Sequence, residues 1–395
     1  MGDRHRPIGR RSRTWVFVAL ATAIGLAGSQ RGSAIVIGSR RQAPAPRWVV
    51  AGHARGTPDV RDHVVYFLSR GHEVVALDAQ TGVLRWRGST MGGGEATQGT
   101  RVILVGDLLV AGDYDLFGFD RTDGRLRWRL VPEDGFGLGV YLGAACEGAV
   151  FAGSPAGRVY AVKAESGGVL WSKLVGSDTT VFAPVPTSDL VVAGFTSFGK
   201  TQTGGVVAWD RVSGEERWRR SFPAWNVPAV GTGAAGGPLA AGSWIIASSH
   251  EGVIYALDRL TGRVSWVIPN LGQRADGRGP SAQDFRPLAV VGELLVAGSL
   301  TGEVVAYELA TRRVRWRSVP VSASVAFGLA ADDETVYVPY LTGQVVALHV
   351  STGVERWRMG GSAHGFSWVP LVAETGVYLA GSEAGFVALS RPSFP

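Results

Sequence analysis

An all-β fold built from repeated four-stranded units is the class that this 395-residue sequence predicts. Three observations predict it. One pattern of strand, polar turn and tryptophan recurs along the whole chain. Glycine is abundant at 56 residues, and charged residues make up only 18%. Beyond the N-terminal segment no long stretch carries a capped helical period, so packed strands joined by turns are favoured over charged helices.

Taken in order, residues 1–29 open with Arg4, Arg6, Arg10, Arg11 and Arg13, then run uncharged through "WVFVALATAIGLAG" from Trp15. That is a targeting segment, and its apolar length suits a signal-peptide core better than a full membrane span. Ala27 and Ser29 supply the small residues needed for cleavage after Ser29. The alternative is an uncleaved anchor with its arginines on the cytoplasmic side, which would give the protein membrane contact through this segment. "GRRSRTW" lacks the apolar pair that follows the arginines of a twin-arginine signal. In either case the rest of the chain is expected to be exported.

Residues 30–47 form a basic linker. The two N-terminal segments carry about +4 each, so the formal net charge of +6 leaves the remaining chain slightly acidic. Nucleic acid is therefore not an expected partner. Cys146 is the only cysteine; it sits in the apolar run "LGAACEGAVF" and reads as a buried, inert thiol.

From residue 48 onward the chain repeats the pattern Ala-x-Asp-x-x-Thr-Gly-x-x-x-Trp. It first appears as Ala76, Asp78, Thr81, Gly82 and Trp86 in "VVALDAQTGVLRWR". Further copies end on Trp128, Trp171, Trp218, Trp266, Trp316 and Trp357, spaced 41 to 50 residues apart. The sixth copy has Arg312 in place of its glycine, and the seventh has His349 in place of its aspartate. Each copy follows two further strand-like runs and a shorter apolar one, so a unit is four antiparallel strands, A to D. The motif is its C–D hairpin. Asp and Thr side chains accept backbone N–H groups in the turn, and Gly supplies positive φ. The tryptophan on strand D needs a second sheet to cover its face, and the small Ala position is expected to leave room for a neighbouring unit's ring. Arginines beside it are expected to lay their stems along the rim.

Such units arranged around an axis make a β-propeller. Seven complete copies are followed by "GVYLAGSEAGFVALSRPSFP", which has no tryptophan, whereas Trp48 in "PRWVV" precedes the first copy. An eighth blade of three C-terminal strands and the Trp48 strand would close the ring and remove its edges. Residues 48–395 are thus expected to form one eight-bladed propeller, monomeric.

The repeat resembles the tryptophan-docking repeat of the pyrroloquinoline quinone (PQQ) propeller superfamily, and the resemblance covers residues 48–395. That superfamily includes quinoprotein alcohol dehydrogenases and the BamB-type propellers of the outer-membrane barrel-assembly machinery. For the dehydrogenases the resemblance implies a quinone over the axis, a Ca²⁺ held by carboxylate and amide oxygens, a catalytic Asp and usually a vicinal disulfide. One cysteine rules out that disulfide. "DYD" at Asp113–Asp115 and "RADGRGPSAQD" at Arg274–Asp284 lack the alternating ligands of a calcium site and read as turn aspartates. The seven histidines lack paired metal spacing; His53 and His364 read as loop residues on one face, and His349 as a turn residue. Neither a Gly-x-Ser-x-Gly elbow nor a phosphate loop is present. No catalytic residue, metal or cofactor is assigned.

Surface remains. Two long D–A loops, from Arg220 and from Ile268, present Trp225, Asn226, Arg274, Arg278, Phe285 and Arg286, types enriched where partners bind. Aromatics open several A strands: Tyr141, Phe182, Phe285, Phe327 and Trp368. They read as inter-blade packing, or as a collar around the channel that grips a partner. The expected function is a non-catalytic, exported scaffold that binds protein partners in a membrane-associated complex, as BamB-type propellers do. An accessory subunit of another membrane complex is the alternative, and a PQQ-dependent dehydrogenase a lesser one. "GLAGSQ" places Ser29 where a lipoprotein's cysteine would stand, so a lipid anchor there is not expected.

Overall fold

The computed structural model describes residues 41–90, 101–131, 139–198, 204–222, 232–234, 236–250, 252–269, 285–321, 324–326, 328–360, 368–381 and 385–391. Among them every regular element is a strand, and no helix is long and apolar enough to cross a membrane.

The first repeat folds as strands Ala54–Arg61, Val64–Ser69, Glu73–Asp78 and Leu84–Ser89, each antiparallel to the one before. We call it the Trp86 sheet after the tryptophan on its outermost strand. The same order recurs in the sheets whose outer strands are Leu126–Leu130, Val169–Leu174, Glu216–Ser221, Val264–Ile268, Val314–Arg317 and Glu355–Gly360. A further sheet takes Leu371–Ala373, Gly376–Gly381 and Gly385–Leu389 from the C-terminal part of the chain, and Pro46–Val50 from the N-terminal part. In it Trp48 stands opposite Ala388, as Trp86 stands opposite Ala76. The molecule is a β-propeller of four-stranded antiparallel sheets.

Departures from the pattern are local. A single parallel bridge, Thr57 to Arg101, joins the inner strands of the Trp86 and Trp128 sheets. In the Trp218 sheet the inner position is split between Thr179–Val181 and Val185–Pro186, both paired with Leu190–Ser197. The two-residue strand Arg41–Gln42 lies parallel on the outer edge of the Trp357 sheet, Arg41 opposite Trp357.

The strand sequences explain their depth. Middle strands such as "VVYFLS" and "LVVAGFTS" are continuous apolar runs because a sheet covers each of their faces, and they are almost wholly buried. Outer strands alternate: "LRWRGS" hides Trp86 and Gly88 and exposes the residues between. The core is a succession of layers between neighbouring sheets. Tyr66 and Trp86 share one layer with Phe117 and Phe119, while Tyr378 and Phe386 share another with Val65 and Phe67. Cys146, expected buried, is half-buried and free where strand Tyr141–Cys146 reaches its turn.

Candidate functional site

The motif hairpin is a small hydrogen-bonded unit. Asp78 Oδ1 accepts from the Thr81 N–H (2.9 Å) and hydroxyl (3.0 Å), and Oδ2 accepts from Arg85 Nη2 at 2.7 Å. The Arg85 guanidinium, then the Thr81 N–H, hold the Asp78 carboxyl far below the usual carboxylate range. Arg217 and Ser213 do the same to Asp210. A bulge makes the pairing possible: Ala76 faces Trp86 and Leu77 faces Leu84, so Arg85 is left out of the ladder and free to turn back to the aspartate. Sequence reading missed this partnership and gave the arginine only a covering role. Its signal was the arginine before the tryptophan, present with the acid in four copies: Asp78/Arg85, Asp120/Arg127, Asp210/Arg217 and Glu308/Arg315.

Six of the eight outer-strand tryptophans reach the next sheet's hairpin. Trp86 Nε1 donates to the Arg121 carbonyl at 3.0 Å, Trp218 to Arg259 at 2.9 Å and Trp316 to Val350 at 2.6 Å. Trp48 makes the same bond to the Ala79 carbonyl at 3.2 Å, tying the Trp48 sheet to the Trp86 sheet. The ring lies on the turn glycine. A Cβ on Gly124 (φ +76°) would sit 2.4 Å from the Trp86 ring, and one on Gly262 (φ +64°) 2.4 Å from Trp218. The Ala position does something other than expected: it faces its own sheet's tryptophan. A Cβ at Gly118, which stands there in the second copy, would lie 2.2 Å from Trp128 of the same hairpin.

Two seams lack the indole bond. Arg312 holds the turn glycine's place at φ 59°, and Trp266, which would lie over it, is only half-buried, its Nε1 without an acceptor among the described residues. Its ring meets Trp244 edge-on instead, 5.5 Å between centroids. Trp357 is buried, yet its Nε1 also lacks an acceptor among the described residues. The next sheet's outer strand, Pro46–Val50, is not joined to Gly385–Leu389 by a hairpin, so no Thr-Gly turn lies there to receive it. Ala43 packs against this layer.

One seam contains buried charge. Asp113 Oδ2 takes Arg55 Nη2 at 2.7 Å, the Thr90 hydroxyl at 2.8 Å and His72 Nδ1 at 3.1 Å, locking the Trp86 sheet to the Trp128 sheet. Arg55 also donates Nε to the Ser69 carbonyl at 3.0 Å. Sequence reading gave Asp113 a turn role only and passed over Arg55, His72 and Thr90, whose meeting depends on tertiary placement. The donor set does not fit a quinone and its calcium. Asp113 Oδ2 is already engaged by three groups, two of them the guanidinium of Arg55 and the imidazole of His72. Its Oδ1 is buried without a partner among the described residues, a single oxygen where calcium needs about six or more, and no group of three His, Cys, Asp or Glu among them stands close enough to hold a metal.

Of the candidate partner-binding residues, Trp225, Asn226, Arg274 and Arg278 lie outside the described residues, as do His364 and Phe327. Phe285 and Arg286 begin strand Phe285–Val291, Phe285 opposite Ser299, with their side chains outside the description. Trp368 is half-buried against the layer that contains Tyr378, Phe386 and Phe67. Tyr141 and Phe182 meet edge-on with centroids 5.6 Å apart. Tyr141 and Phe182 therefore pack across the seam between their sheets. His349 takes its aspartate's place as acceptor: the Ser351 N–H reaches its Nδ1 at 3.2 Å.

A family model described as outer membrane protein assembly factor BamB matches residues 26–137, 116–194, 155–324 and 301–392. An outer membrane protein assembly factor BamB from Shewanella oneidensis is 27% identical over 211 residues, 50% of each chain. The chain thus spans about half the length of this curated relative. BamB from Moraxella catarrhalis superposes with a TM-score of 0.56 at 18% identity, covering 75% of this chain and 85% of that one. The quinohemoprotein alcohol dehydrogenase of Comamonas testosteroni gives 0.63 at 14% identity, covering 89% and 76%. At such identities the two structures speak for the fold alone. The family match, spread over nearly all the repeats, does more: this chain belongs to the family of the outer membrane protein assembly factor BamB.

Proposed function

We propose that this protein is a non-catalytic scaffold of the cell envelope, an eight-bladed propeller closed by its N-terminal strand, which holds protein partners during outer-membrane protein assembly. The family match across residues 26–392 carries the reading. Closure is supported by the strand Pro46–Val50 beside Gly385–Leu389 and by the Trp48 bond to Ala79. A non-catalytic role is supported by the way the polar side chains serve the fold: Asp78 is held by Arg85 and its own turn, and Asp113 Oδ2 by Arg55, Thr90 and His72, with its Oδ1 sealed from solvent in the same seam. Export through residues 1–29, a basic linker over residues 30–47, and partner contacts by Trp225, Asn226, Arg274, Arg278, Phe285, Arg286 and Trp368 belong to the same proposal. The test is affinity capture of the full-length protein from cross-linked native membranes, with mass spectrometry of its partners and of its own N-terminus. Recovery of the barrel-assembly machinery is expected; its consistent absence would overturn the assembly role.

Ser29, at the place of a lipoprotein cysteine, favours one second reading: an accessory subunit of another membrane complex, held by an uncleaved N-terminal segment. A captured N-terminus that retains Met1 or the arginine-rich segment, together with a different complex, would establish it.

A further inference from the structure

The outer edge of a propeller sheet presents unpaired backbone groups, a template on which another strand can add. In five sheets that edge is guarded by arginines on both sides of the tryptophan, as at Arg85 and Arg87 or Arg217 and Arg219. They are fixed by acids: Arg87 to Glu73 at 3.4 Å, Arg219 to Glu216 at 2.7 Å, Arg317 to Glu303 at 3.0 Å. The Trp171 sheet is different. Its outer strand reads "VLWSKL": Leu170 and Ser172 replace both arginines, and Lys163 replaces the motif aspartate. Leu170 and Leu174 are each 56% exposed and Val169 46%. A groove of about 770 Å³ runs between this sheet and the Trp128 sheet; Leu170, Ala149 and Leu108 line it, and so do the acids Asp107, Asp120, Glu147 and Glu165, each already paired with Arg121, Arg127, Arg211 and Lys163 respectively.

The chain itself demonstrates strand addition on such an edge. Arg41–Gln42 lies parallel on the Trp357 sheet, with Arg41 opposite Trp357 and Gln42 opposite Arg358, just past the bulge. The equivalent stretch here is Trp171–Leu174, which keeps a regular ladder with Arg158–Ala161 on its inner side and has no strand on its outer side among the described residues. The residues that follow do not fold back over it: the Val175 N–H bonds to the Gly157 carbonyl, and Arg219 of the next sheet reaches the Val175 carbonyl.

We propose that the edge Trp171–Leu174 accepts an extended, carboxylate-bearing segment of a partner protein as a fifth strand, with its apolar side chains over Leu170 and Leu174. Charge chooses the occupant. Lys173 is exposed, and Val169–Leu174 contains no acid. Two copies of this edge brought together would therefore juxtapose like charges, which disfavours a homodimer here, whereas a strand with a Glu or Asp opposite Lys173 gains an ion pair. The inference deepens the scaffold reading and rests on it for the partner being a protein of the envelope. It commits to this one edge because the other edge without flanking arginines, Val264–Ile268, runs directly into residues 270–284, which lie outside the description.

The probe is a fluorescein-labelled peptide of about ten residues that alternates valine with threonine and glutamate, titrated against the full-length protein and read by anisotropy. Saturable binding is expected, with amide-exchange protection appearing at Ser172–Leu174. The double variant Leu170→Arg/Ser172→Arg should weaken it about tenfold or more. That variant recreates the sequence five sibling strands already tolerate, so its fold is expected to survive, checked by its thermal midpoint. A peptide with lysine in place of glutamate should bind more weakly. Absence of saturable binding, or equal binding by native protein and double variant, overturns strand addition at this edge. Either result leaves the membrane capture standing as the separate test of the scaffold role.

Discussion

At position 312 an arginine holds the left-handed backbone, φ 59°, that glycine holds in the other copies of the motif. An L-residue with a Cβ there costs about 1 kcal/mol, and its side chain stands where the preceding tryptophan would lie. Arg312→Gly is therefore expected to stabilise the protein by about 1 kcal/mol in urea denaturation and to quench or shift Trp266 fluorescence as the ring seats. An unchanged midpoint would mean that something other than Arg312 keeps the ring from seating. His349 is a second exception with a pH signature. Burial first, then the Arg356 guanidinium, lowers its pKa, and its neutral Nδ1 accepts the Ser351 N–H. The folded state thus prefers the uncharged ring. Its contribution is complete above the ordinary histidine range and is lost as pH falls through that range to the lowered value. His349→Asp restores an acceptor that stays ionised there, beside Arg356. The stability gap between variant and native protein should widen by about 0.5–1.5 kcal/mol from pH 8 to pH 5.5. A constant gap across that range would exclude His349 as the titrating group.

Between sheets, the seams divide into those with a seated indole and those without. Trp218 is 8% exposed, lies on Gly262 and bonds to Arg259. Trp218→Ala removes a buried ring and one hydrogen bond, so a loss of about 3–5 kcal/mol is expected. Trp266→Ala removes a half-buried ring with an unbonded N–H, and a loss of about 1–2 kcal/mol is expected. Equal losses would remove the link between docking geometry and seam strength. The repeat made the strands and their order legible, because each tryptophan, turn and apolar run recurs at matched positions. It did not reveal which ring meets which small residue. Ala76 and Trp86 are ten residues apart and read equally well as neighbours within a hairpin or across a seam; only the register, Ala76 opposite Trp86, decides. The bulge that frees Arg85 is likewise invisible in composition, as is the Arg55–Asp113 lock, whose partners come from different sheets. The candidate partner-binding loops gave no such reading, since Trp225, Asn226, Arg274 and Arg278 lie outside the described residues, while Trp368 is half-buried.

For the whole molecule, the decisive contact is the one between chain regions farthest apart in sequence. Pro46–Val50 pairs with Gly385–Leu389, and Arg41–Gln42 reaches back to the Trp357 sheet, so ten residues bridge three consecutive sheets. Trp48 was legible as the tryptophan that the C-terminal repeat lacks; the parallel addition of Arg41–Gln42 was not, because two polar residues carry no strand signal. Without this segment Phe386 and Tyr378 lose the Trp48 ring that lies about 6 Å from each, and the strand Gly385–Leu389 becomes an open edge. Two truncations separate processing from closure. A chain beginning at residue 30 keeps every described contact and is expected to match the full-length protein in thermal midpoint. A chain beginning at residue 51 lacks the strand Pro46–Val50 and is expected to lose about 3 kcal/mol or more, with a synthetic peptide of residues 41–50 in excess restoring part of the loss by mass action. If the shorter chain unfolds at the same midpoint, the fold does not depend on its N-terminal strand and the proposed closure fails. If the peptide fails to restore a destabilised chain, residues 41–50 act only when covalently joined, and Pro46–Val50 is held by its tether more than by its ladder.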